Sequence, residues 1–159
     1  AELARNDGDY QQAREYVETA SEYIDGTGAG IETTHVRLAS ARLALDRDNY
    51  ERARTLCETV RERYTAVGAD QWLNRTERLL GRVAVQEGDE ESAREYWTSA
   101  LETLANVDAP QDELETLQLL VEYADDPQRW HERAADCVAD APEVVVEQHR
   151  EWLAAQSEW

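Results

Sequence analysis

Three stretches decide the fold: Gly8-Asp9-Tyr10-Gln11-Gln12-Ala13-Arg14, Asp48-Asn49-Tyr50-Glu51-Arg52-Ala53-Arg54 and Gly88-Asp89-Glu90-Glu91-Ser92-Ala93-Arg94. They begin at 8, 48 and 88, so they recur every 40 residues. In each, a Gly or Asp followed by Asp or Asn supplies a tight turn and a helix cap. The short polar side chain accepts from the free amides of the following helix, and glycine tolerates positive φ. Apolar residues then return at three- and four-residue steps, the spacing of one helix face. They are Tyr10, Ala13, Val17 and Ala20, then Tyr50, Ala53, Cys57 and Val60, then Ala93, Trp97, Ala100 and Leu104. The small residues Ala13, Ala53 and Ala93 mark where two helices come closest.

Working outward, a helix is expected over 31–45 with Leu38, Ala41 and Leu45 on one side, and another over 71–85 with Leu73, Leu80 and Ala84. Gly26, Gly28 and Gly30 end the first long helix, and Gly68-Ala69-Asp70 separates the next pair. Asp108 to Gln111 reads as a loop containing Pro110, followed by a helix from about 112 to 123 carrying Leu114, Leu117, Leu120 and Val121. Asp126-Pro127 starts another with Trp130, Ala134, Cys137 and Val138, and Pro142 starts a last one running through Val145, His149 and Trp152. Ala93 and Ala134 lie 41 residues apart, so the period persists with one insertion. The expectation is an all-α chain of about eight main helices with a remnant of another at the start and no strand.

These segments resemble the tetratricopeptide family, whose second helix opens on a Gly-x-Tyr-x-x-Ala pattern. Gly8, Tyr10, Ala13, Val17 and Ala20 fit it, as do Tyr50, Ala53, Cys57 and Val60. Gly88, Ala93, Trp97 and Ala100 fit with Glu90 in the aromatic's place, and Gly81 resembles the small residue where the paired first helix packs. The period of 40 departs from the family's 34. The resemblance implies antiparallel helix hairpins stacked as a right-handed solenoid, one domain over 1–159, with a concave groove that holds a peptide or a partner domain. The chain begins at Ala1 without methionine and carries Leu3 and Ala4 just before a turn, so it is expected to be cut from a longer protein.

The charge narrows the partners. Thirty-five acidic residues face 16 basic ones, the formal charge is -19, and every Lys/Arg position is arginine. With 42% hydrophobic residues in helical patterns, the acid reads as a solvated shell around an ordinary core rather than as disorder. An acidic, lysine-free exterior resembles proteins of salt-accumulating archaea, where salt screens self-repulsion; a GC-rich genome gives the same bias. Such a field disfavours direct binding to nucleic acid or to an anionic membrane. There is no run of roughly 18 apolar residues and no signal pattern, so a cytoplasmic location is expected.

Little in the chain points to catalysis. Gly26-Thr27-Gly28-Ala29-Gly30 lacks the ending of a phosphate-binding loop and follows a helix, so it reads as a turn. His35, His131 and His149 come from three separate helices, and Cys57 and Cys137 match no metal spacing. No catalytic residue, metal or cofactor is expected.

The feature that stands above composition is basic. Arg75, Arg78 and Arg82 fall at i, i+3 and i+7 on one helix face. By the family resemblance that face looks into the groove, with His35, Leu38 and Arg42 at the matching positions of the preceding first helix. Arginine's rigid fork suits a carboxylate, so the groove is expected to take a protein or peptide partner that is acidic or presents a free C-terminal carboxylate. Alternatively, the arginines offset neighbouring Asp and Glu. A second functional reading is a self-association module, with Trp152 and Trp159 covering or pairing the ends of the stack to give a homodimer.

Overall fold

A computed structural model describes Val17 and residues 30–152. Within them the chain forms seven helices and no strand: α1 (Ile31–Asp46), α2 (Tyr50–Val67), α3 (Asp70–Gln86), α4 (Glu90–Thr103), α5 (Pro110–Tyr123), α6 (Pro127–Asp140) and the short α7 (Glu143–Gln148). The all-α expectation holds over this range. The first of the three repeated stretches, the helix expected after it apart from Val17, Gly26, Gly28 and Trp159 lie outside the described residues.

The two described copies of the repeated stretch form the same turn. Asp48 has φ 60° and Gly88 φ 83°, both left-handed. Asn49 N–H donates to Ala44 O at 2.8 Å, and Asp89 N–H donates to Ala84 O at 2.9 Å, so each closes off the preceding helix. The same residue then caps the next helix: the Asn49 side chain accepts from Arg52 N–H, and the Asp89 side chain accepts from Ser92 N–H at 3.1 Å. The last residue of each stretch also has a shared task. Arg54 donates to Glu87 just past the end of α3, and Arg94 donates to the carbonyl of Tyr123 at the end of α5, 3.2 Å away. Each places a cation at the negative end of a helix dipole, Arg54 through a carboxylate and Arg94 through a backbone carbonyl.

Two boundaries differ from the sequence reading. Pro110 and Gln111 belong to the first turn of α5 rather than to the preceding loop, because a first-turn residue needs no donor and proline's fixed φ suits the position. The last helix is interrupted: α7 ends at Gln148, and His149 turns with φ -110° and ψ 10° before helix resumes at Arg150.

Helices pack chiefly against their chain neighbours through α6, and α3 also touches α1 and α5. The core has two main parts. One gathers Ala41, Ala44, Leu45, Ala53, Cys57, Leu79, Leu80 and Val83 from α1 to α3. The other runs from Ala84 through Trp97, Leu101, Leu117 and Leu120 to Trp130 and Val145, with Trp152 packed against its edge. α3 feeds both, which is why it buries residues on several sides. Full burial of each Leu or Val contributes about 1.5–3 kcal/mol before chain entropy is set against it. Among the described residues, no helix is long and apolar enough to cross a membrane.

Candidate functional site

All six residues picked out for the groove line a single cavity of about 370 Å³: His35, Leu38 and Arg42 from α1, and Arg75, Arg78 and Arg82 from α3. Leu79 is buried in its floor, and Val17, Ala39, Leu43, Trp72 and Glu115 also line it. Packing of α1 against α3 sets the two rows opposite one another.

The three arginines are not equivalent. Arg75 grips Asp112 with both branches of its fork, Nε to Oδ1 at 3.0 Å and Nη2 to Oδ2 at 3.3 Å. Arg78 reaches the same carboxylate at 3.2 Å, the backbone carbonyl of Asp112 at 3.1 Å, the hydroxyl of Thr116 at 3.3 Å and Glu115 at 3.0 Å. These bonds tie the first turns of α5 to α3, and the Asp112 side chain is only 9% exposed. Arg82 differs: it is exposed and makes no hydrogen bond or ion pair among the described residues. Thus Arg75 and Arg78 do offset nearby acid, whereas Arg82 is exposed and its charge acts on the Tyr123 phenol.

At one end of the cavity aromatic rings pack together. The His35 ring lies 4.1 Å from that of Trp72, and Arg75 lies over Trp72 at 4.9 Å. The Tyr64 hydroxyl and His35 Nδ1 are 2.6 Å apart. Burial pushes the Tyr64 phenol up to about 12 against the pull of Arg75, so the phenol stays protonated; the His35 tautomer sets which of the two groups donates. With Nδ1 engaged by Tyr64, Nε2 is the ring nitrogen left to meet a ligand. A continuous series of contacts therefore runs from buried Tyr64 through His35, Trp72 and Arg75 to Asp112.

Trp72 and Leu79 were missed by the sequence reading, although they share the face of the arginines at three- and four-residue steps. Asp112 carried no such signal, being one of many acidic residues 37 positions from Arg75.

The remaining reactive residues stand apart. Cys57 is buried, and burial pushes its thiol up to about 12; Cys137 is half-buried and raised to about 12 by burial and by Glu113. His149 accepts from Gln118 Nε2 at 2.8 Å if its Nδ1 is unprotonated. Among the described residues, no group of three or more His, Cys, Asp and Glu is placed to hold a metal ion. No family model matches the chain, and no curated protein matches it.

Proposed function

We propose that the chain is a non-catalytic binding scaffold or sensor domain, similar to tetratricopeptide arrays, that holds a peptide or partner domain against the α1–α3 cavity. The observation that carries this reading is the convergence of all six face residues on one cavity, with Arg82 exposed beside an apolar floor. An exterior of net charge -19 makes an arginine-lined recess the favoured landing place for an anionic group. Stacked antiparallel hairpins in a right-handed solenoid are the architecture we propose. Chain-order packing, the contacts of α3 with α1 and α5, and the identical turns at 48 and 88 support it. A cytoplasmic setting of high salt fits the acidic, lysine-free exterior.

The test compares wild type with Arg82→Glu as bait in cell extract at the native salt level. The expected outcome is loss of captured partner in the variant, with amides of α1 and α3 protected from hydrogen exchange in the wild-type complex. Capture unchanged by the substitution, with protection elsewhere, rejects the reading.

A further inference from the structure

We infer that the cavity is a receptor site for a small amphipathic monocarboxylate, an apolar body carrying one carboxylate that Arg82 receives. This inference rests on the cavity being the binding site proposed above. Its size, about 370 Å³, falls at the lower end of small-molecule pockets. Leu38, Ala39, Leu43 and Leu79 supply apolar surface beside four arginines, His35 and Glu115.

The number of charges on the ligand follows from the ion pairs. Arg75 and Arg78 are matched by Asp112 and Glu115, two cations against two carboxylates, so this part of the wall is locally neutral. Arg42, the fourth arginine of the lining, has an interaction of its own, and Arg82 remains as an exposed cation without an ion pair among the described residues. One guanidinium fork accommodates one carboxylate. The surrounding field selects in the same direction, because a net charge of -19 repels a multiply charged anion more strongly than a singly charged one. His35 adds a second polar contact through Nε2, since Tyr64 occupies Nδ1. The contacts of His35 and Arg75 with Trp72 hold the wall in place, so a ligand meets a preformed surface.

Calorimetric titration with 3-phenylpropionate, its neutral amide 3-phenylpropanamide, and the dicarboxylate phenylsuccinate tests this. Wild type is expected to prefer the monoacid over the amide by about three- to fivefold, the range of an exposed ion pair. Phenylsuccinate should gain less than about threefold over the monoacid. Arg82→Gln should erase the preference for acid over amide while leaving the unfolding midpoint unchanged. The inference is overturned by equal binding of acid and amide to wild type, by a preference that survives Arg82→Gln, or by phenylsuccinate binding about tenfold tighter than the monoacid. If none of the three compounds binds while Arg82→Glu still abolishes partner capture, this inference alone falls. If none binds and capture is indifferent to Arg82, the scaffold reading falls with it.

Discussion

The indole of Trp97 occupies the space that a side chain on Gly81 would need. A Cβ built on Gly81 would stand 2.2 Å from Trp97 Nε1, and the indole N–H donates to the Arg78 carbonyl at 3.1 Å. Trp97 is fully buried, and one repeat earlier the corresponding positions hold Ala41 and Cys57. Volume has moved from one helix to the other between the two repeats. Gly81→Ala is therefore expected to cost about 3 kcal/mol or more, by displacing a buried Trp and breaking its hydrogen bond. Combining it with Trp97→Cys, which copies the Ala41–Cys57 arrangement, should cost less than the sum of the two single changes. Urea denaturation of the four proteins in the cycle measures the coupling, and strict additivity would refute the steric account.

Asp112 is the residue on which the arginine row depends. Asp112→Ala leaves Arg78, whose side chain is 14% exposed, without its main carboxylate. The expected loss is about 2 kcal/mol, below the cost of breaking a fully buried pair because Arg75 and Glu115 remain partly in water. Arg82→Ala should change stability by less than about 0.5 kcal/mol. Chemical unfolding midpoints separate the two cases, and a comparable loss at Arg82 would contradict the distinction between a clamp and an open cation.

The contrast between those two residues shows how far the sequence could be read. Turns and helix faces depend on residues within a few positions of one another, so Asp48-Asn49 and Gly88-Asp89 announced themselves locally. The row 75, 78 and 82 followed from helical spacing alone. Pairing α1 with α3 across one cavity needed an inference from family resemblance, and His35, Leu38 and Arg42 do face the row in the structure. What stayed hidden was the sorting of the three arginines. It depends on where the first turn of α5 docks, and that docking is set by three-dimensional packing of Leu114 and Leu117 rather than by any local pattern.

Asp48 and Gly88 occupy the same left-handed turn with opposite fitness for it. A side chain at Gly88 would touch nothing within 4 Å, so the cost of Gly88→Ala is confined to the backbone, about 1 kcal/mol. Asp48→Gly relieves the corresponding strain and should be neutral or stabilising by up to about 1 kcal/mol, since the Asp48 bond to the Tyr50 hydroxyl is exposed and weak. Thermal unfolding of the two variants should shift in opposite directions. Equal destabilisation by both would show that the repeated turn is not energetically equivalent at 48 and 88.

Glu77, on α3, is 3% exposed. Its Oε1 lies 3.7 Å from Arg61 Nε, while Oε2 is buried without a hydrogen-bond partner. Burial raises its carboxyl above the usual glutamate range and Glu102 adds to the rise, against the pull of Ser99 and Arg61. A raised folded-state value means the folded protein binds the proton more tightly than the unfolded chain. Stability is therefore gained as pH falls through the folded value and levels off below the ordinary glutamate range; above the folded value the ionised form carries the full penalty. Glu77→Gln removes the charge and should stabilise by about 1 kcal/mol at pH 7. That advantage should shrink as pH is lowered into the ordinary glutamate range, where the native carboxyl is itself protonated. Urea midpoints of both proteins across that interval check the direction, and a glutamine variant that is less stable at neutral pH would show that the Arg61 contact outweighs desolvation.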